Sequence, residues 1–462
     1  SIVRSDLWVL PIDSYRARML MATGMSQMTT PLTPPSPNSN FKRTHVTAAL
    51  IAIAIALILN YAPGFCDNDW SSLEPTTAAS QNNNNNNKLS TLYGNNETTR
   101  VISFTGGRDN TTNLVGTISL PTKNKEGNED DADADADDLR LPPVIVLAHG
   151  LGLAADCSLD KFTSAFNAEG FATFAFDYAT FGHSGGLPRH VVDPVTHISD
   201  LKRAIATLHR KSDELKIDGD RIALWGTSLG GGHVVSAALQ LLQSSNANDD
   251  DRTTTLDGEE EEEGIIDIIK AVVSQVPHLA SGLESISHTV ASDPATYVPA
   301  LCKTLGGMTK GALLRLLRGR PWYLPLHGLP GSAAALQNAG DDEGYGSLCP
   351  AETRESGRWR NALTSDGGLR IMFYRPLNAV SSFVKWNNEI TKRRRPRPPP
   401  VLFVAAEGDT LCPAKYVERA AERIEGAEYV LLENAGHFDI YSGELLEEML
   451  RREIAFFKKH LL

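Results

Sequence analysis

The sequence predicts an α/β protein: a mostly parallel, doubly wound sheet of eight strands with a helical lid inserted between its sixth and seventh strands. Three observations carry this. Short apolar runs bounded by proline or glycine, among them Pro143-Val-Ile-Val-Leu-Ala148 and Val401-Leu-Phe-Val-Ala-Ala406, have the length and composition of strands buried on both faces. Such runs alternate with helical segments, for example residues 417–424 and 443–457, which is the order of parallel β-α-β units. Finally, the interval from about residue 277 to 400 is far longer than a crossover helix requires.

The elements divide the chain of 462 residues into four parts. Residues 1–99 form a targeting or hydrophobic segment and a low-complexity linker that contains six consecutive asparagines from Asn82. Residues 46–59 are apolar and uncharged, follow Lys42-Arg43, and precede Ala62-Pro-Gly-Phe65. This length and these flanks predict a signal peptide cleaved near 62–65, or an anchor that would associate the chain with a membrane. Met19, Met21, Met25 and Met28 are all available as starts. The sequons at Asn96 and Asn110 fit a secreted or lumenal chain. Residues 100–279 then form the first part of the core, opened by a hairpin over residues 100–104 and 114–120. Residues 280–399 form the lid and a basic connector, and residues 400–462 complete the core. Within the lid, residues 311–325 combine leucines, arginines and aromatics, a composition that suits a helix over the site or a lipid-contacting surface.

Net charge says little about partners. The formal charge is −12, but the acidic stretches at 126–138 and 249–263 contribute −16 between them, leaving the remainder at about +4. The acidity therefore belongs to solvated loops, the second of them spanning about 244–264. The Arg393-Arg-Arg-Pro-Arg-Pro-Pro-Pro400 run reads as a solvated connector, and no nucleic-acid partner is expected. Five cysteines without close pairs allow at most one bridge, unassigned by spacing.

Chemistry is concentrated at a few positions. Asp220-Arg-Ile-Ala-Leu-Trp-Gly-Thr-Ser228-Leu-Gly-Gly reads as a strand, a glycine-bounded serine and a helix, the context that makes Ser228 a nucleophile. Gly182-His-Ser184-Gly-Gly186 matches the same spacing, but Pro188 and Pro194 follow it and argue for a loop. A nucleophilic serine needs a base and a group that orients the base. Asp409 lies at the carboxyl end of the 400–406 strand, and His437 lies in the loop after the last strand, in the order Ser, Asp, His. Glu407 and Asp439 are the alternative acids. The strand that ends in His149-Gly150 predicts an oxyanion hole from the backbone N–H groups of Leu151 and Leu229, with the His149 side chain structural.

These motifs resemble the α/β-hydrolase superfamily over residues 100–462: His149-Gly150-Leu-Gly152, Asp177-Tyr-Ala-Thr-Phe-Gly182-His-Ser-Gly-Gly186, Gly226-Thr-Ser228-Leu-Gly230, Gly408-Asp409 and Gly436-His437-Phe-Asp. Gln275-Val-Pro-His278 and Gly436-His437-Phe-Asp-Ile-Tyr441 are similar to the branch that holds Xaa-Pro dipeptidyl-peptidase-like proteins and fungal polyketide transferases. The resemblance implies a serine hydrolase acting on an ester, thioester or amide of a small-molecule acyl substrate, with no metal or organic cofactor. Acyl transfer, serine peptidase activity and a catalytically silent binding protein are the competing expectations. Oligomeric state and substrate identity are not legible in the sequence.

Overall fold

The computed structural model describes residues 98–121, 140–244, 265–319, 321–389 and 397–462. The hydrophobic run at 46–59, Asn96, the asparagine tract, nearly all of the two acidic loops, and Arg393 to Pro396 of the arginine run lie outside the described residues. No helix among the described residues is long and apolar enough to cross a membrane.

Strands β1 (Thr99–Gly106) and β2 (Thr112–Ser119) form the opening antiparallel hairpin. There follow β3 (Pro143–Ala148), helix α1 (Asp160–Ala168), β4 (Ala172–Asp177), α2 (Pro194–Arg210), β5 (Asp218–Thr227), α3 (Leu229–Ser244) and β6 (Ile269–Gln275). The insertion holds α4 (Gly282–Ser292), α5 (Pro294–Arg318), β7 (Tyr323–Leu324), α6 (Asp341–Leu348), β8 (Leu363–Thr364), α7 (Ser365–Phe373) and α8 (Leu377–Glu389). Strand β9 (Val401–Ala406), α9 (Ala414–Ala421), β10 (Glu428–Leu432) and α10 (Gly443–Leu461) complete the chain. The main sheet has eight strands in the order β1-β2-β4-β3-β5-β6-β9-β10, parallel from β4 to β10.

That order positions the site. Strand β3 is flanked by β4 on one side and β5 on the other; the chain runs from β3 to β4 and from β5 to β6, so it leaves the adjacent β3 and β5 in opposite directions and opens a crevice at their carboxyl ends. Strands β3 and β9 are buried at every position, as strands covered on both faces by helices must be. Beneath β5, Trp225 packs against Phe162 of α1 with ring centroids 4.4 Å apart. Its indole N–H donates to the buried Glu453 carboxyl of α10 at 2.9 Å, and burial pushes the pKa of Glu453 up to about 8.

The insertion is fastened at both ends. Ser281 and Glu284 form a capping box at the start of α4, and Arg375 Nε donates to the same Glu284 carboxylate at 2.7 Å, which ties α4 to the turn before α8. Further along, Cys157 and Cys349 are disulfide-bonded across 192 residues. Beside that bond, Ser158 Oγ donates to the Leu348 carbonyl at 2.6 Å and Trp359 Nε1 to the Gly152 carbonyl at 2.9 Å. These contacts clamp the middle of the insertion onto the loop that carries Leu151. Of the other described cysteines, Cys302 and Cys412 are free thiols.

Candidate active site

Strand β5 ends at Thr227 and α3 begins at Leu229, so Ser228 alone makes the turn. Its φ of 55° lies in the left-handed region, where a residue with a side chain is held under strain. A Cβ on Gly226 would stand 2.3 Å from the Gly230 carbonyl oxygen, and one on Gly230 would stand 2.2 Å from the Ala148 carbonyl oxygen. Neither position has room for a side chain, which is the physical content of the glycine spacing. The end of β6 holds the turn in place: Ser228 N–H donates to the Gln275 carbonyl at 2.9 Å, and the Ser228 carbonyl accepts from His278 N–H at 2.8 Å.

His437 Nε2 lies 3.2 Å from Ser228 Oγ, and His437 Nδ1 lies 2.6 Å from Asp409 Oδ2. The other Asp409 oxygen accepts the backbone N–H groups of Leu411 and Cys412 at 2.9 and 2.7 Å. All three side chains are buried. Burial by itself would weaken the proton affinity of His437, but the charge of Asp409 and its hydrogen bond outweigh it and raise the pKa above the ordinary 6.5.

The alternatives are engaged elsewhere. Glu407 accepts from Asn434 N–H at 3.1 Å and Asp439 accepts from Gly436 N–H at 2.7 Å, so both shape the loop that leads to His437. Ser184 Oγ accepts from Val115 N–H at 2.9 Å and donates to the Asp177 carbonyl at 2.6 Å, a buried tie between β2 and the turn after β4. His149 donates from Nδ1 to the Gly150 carbonyl at 3.0 Å, and its ring meets the edge of Tyr178 with centroids 4.6 Å apart.

Leu151 and Leu229 line the same cleft as Ser228. The structure thus brings together all five residues singled out from the sequence. The cleft has a volume of about 110 Å³, and Ile286, Val290, Leu301, Met308, Ile371 and Met372 supply much of its apolar wall. None of its lining residues carries a formal charge. The wall comes from α4, α5 and α7, and the part of α5 that reaches it precedes the 311–325 stretch. Within that stretch Leu313, Leu316 and Leu317 are exposed.

Two cleft residues were not identified from the sequence as part of the site. His278 belongs to the quoted Gln275-Val-Pro-His278 segment; its ring is buried, and burial lowers its pKa to about 4. Cys412 follows Asp409 by three residues; its thiol is buried beside Ser228, and burial pushes its pKa well above the usual value. The signal for Cys412 was its nearness in sequence to Asp409, and the signal for His278 was its place in the quoted segment after β6.

Comparison with known proteins agrees with the fold. The alpha/beta hydrolase family matches residues 145–448. The quorum-quenching protein AidA of Acinetobacter baumannii is 32% identical over 318 residues, covering 69% of this chain and 86% of its own length. A polyketide transferase of Gibberella fujikuroi is 25% identical over 324 residues, covering 69% of this chain and 90% of its own. Among solved structures, a hypothetical protein of Pseudomonas aeruginosa superposes with a TM-score of 0.54 at 20% identity, over 79% of this chain and 94% of its own. The eight-stranded sheet, the strained serine at its crevice and these matches have one conclusion in common: the chain belongs to the alpha/beta hydrolase family.

Proposed function

We propose that the protein is a serine hydrolase that cleaves an ester or thioester carrying a neutral, apolar acyl chain, through the triad Ser228, His437 and Asp409. The observation that carries this reading is the continuous relay from Asp409 Oδ2 to His437 and on to Ser228 Oγ, at 2.6 and 3.2 Å. Asp409 accepts a hydrogen bond from Nδ1–H, which leaves the Nε2 lone pair directed at Ser228. As Oγ attacks the substrate carbonyl, Nε2 takes the hydroxyl proton, and the backbone N–H groups of Leu151 and Leu229 receive the developing oxyanion. Collapse expels the alcohol or thiol, which takes that proton from His437. Water, activated in turn by His437, then releases the acyl group from Ser228.

The cleft supports the acyl half of the reading. A wall without charged groups has nothing to pair with the amino terminus of a peptide, so it favours a neutral chain over a peptidase substrate. Transfer of the acyl group to an alcohol or amine in place of water is the second reading, supported by the likeness to a polyketide transferase. A series of p-nitrophenyl esters tests the substrate class. Each methylene buried in such a wall contributes about 0.8 kcal/mol, up to about fourfold in kcat/KM. From acetate to hexanoate, four methylenes, kcat/KM is expected to rise by up to about 200-fold on that basis. A flat or falling series would remove the acyl-chain assignment.

We also propose that the chain enters the secretory pathway, with the catalytic part secreted or lumenal. The disulfide between Cys157 and Cys349 supports an oxidising compartment, and Asn110 lies in the turn of the β1–β2 hairpin. Endoglycosidase treatment of the cell-made protein is expected to lower its apparent mass. An unglycosylated chain in the cytosol with residues 46–59 intact contradicts the proposal.

A further inference from the structure

The group around His437 contains more than the proposed relay uses. One donor atom from each of Asp409, Cys412 and His437 lies within 4.8 Å of the others, and all three residues are buried. Carboxylate, imidazole and thiol donors at that separation are the ligand types of a zinc site. The hydrogen bonds sort their roles. Asp409 is fully engaged, one oxygen with the two backbone N–H groups and the other with His437 Nδ1. It is therefore placed as the outer carboxylate that orients a metal-bound imidazole. The Nε2 lone pair of His437 points at Ser228 Oγ, and the Cys412 thiol is a neighbour of the same oxygen.

We propose that His437 Nε2 and Cys412 Sγ form a binding site for a soft divalent cation, zinc in particular, that switches the enzyme off. Water, or Ser228 Oγ, completes the coordination, and Asp409 holds the ring from behind. On binding, the thiol gives up its proton to solvent and the thiolate becomes a ligand. Nε2 uses the lone pair with which it would accept the Ser228 proton, so metal binding and catalysis exclude each other. The inhibitory role rests on the triad reading above, whereas the binding site itself does not. Imidazole and thiolate select zinc or cadmium over magnesium or calcium, which prefer oxygen ligands.

Ester hydrolysis by the full chain is measured in buffered free zinc, and each protein is referred to its own zinc-free rate. With two protein ligands in place of the four of a structural site, half-inhibition is expected at roughly 1–100 µM zinc. It should be reversed by EDTA, and millimolar magnesium should have no effect. Cys412→Ala is expected to need at least about tenfold more zinc, the scale of losing a ligand. Calorimetry on Ser228→Ala, with and without Cys412→Ala, reads binding independently of turnover. One zinc per chain is expected to be lost with the thiol. Equal inhibition of wild type and Cys412→Ala, or equal zinc binding by the two calorimetry proteins, overturns the proposal. If Ser228→Ala instead proves active, the triad reading fails while calorimetry still decides whether the metal site exists.

Discussion

Ser228→Ala is expected to reduce kcat by about 10⁴- to 10⁶-fold, the scale on which loss of a triad nucleophile acts. The comparison that gives this meaning is Ser184→Ala, because both serines fit the same glycine-bounded spacing. Their surroundings separate them. Ser228 sits at φ 55° with its hydroxyl 3.2 Å from an imidazole, whereas the Ser184 hydroxyl is consumed by two backbone groups. Ser184→Ala strands Val115 N–H in the interior and should therefore cost about 1–3 kcal/mol of stability, with most of kcat retained. Steady-state kinetics beside thermal unfolding of each variant checks both halves. Equal loss of turnover in the two folded variants contradicts the assignment.

Asp409→Asn is expected to lower kcat by roughly 10⁴-fold, about 5.5 kcal/mol of transition-state stabilisation, while leaving the side chain's volume unchanged. An amide in place of the carboxylate can turn its NH₂ toward Nδ1 and fix the wrong tautomer, with the proton on Nε2, where it cannot accept from Ser228. The same substitution has a signature in pH. His437 must be neutral to act as a base, so activity is lost as pH falls through its pKa, and the Asp409 carboxylate raises that pKa above 6.5. The acid limb of kcat/KM in the wild type should accordingly lie above 6.5, and in Asp409→Asn it should move to lower pH as the main counterweight to burial is removed. A near-normal kcat in Asp409→Asn would point to another acid, although Glu407 is already bonded to Asn434 N–H.

The parts of this site that were legible in the sequence are those governed by backbone constraints. Strands covered on both faces have to be apolar throughout, which marked β3 and β9 and with them the loops of Leu151 and Asp409. The turn at Ser228 closes only if two flanking positions lack a Cβ, and that wrote itself as Gly226 and Gly230. The cleft wall had no comparable signature. An apolar stripe at helical spacing says that a face is buried but not against what, and the leucine-rich stretch at 311–325 drew attention for its composition. Leu313, Leu316 and Leu317 proved to be exposed, while Leu301, Thr304 and Met308, earlier on the same helix, face the cleft. The pairing of Cys157 with Cys349 spans 192 residues, and nothing local to either cysteine specifies it.

The most direct measurement of the central claim is mass spectrometry of the protein after reaction with a fluorophosphonate, which traps only a serine activated by a neighbouring base. A single adduct on the peptide that contains Ser228, abolished in Ser228→Ala and strongly reduced in His437→Ala, is the predicted result. A folded protein that takes no adduct, or takes it on Ser184, contradicts the account.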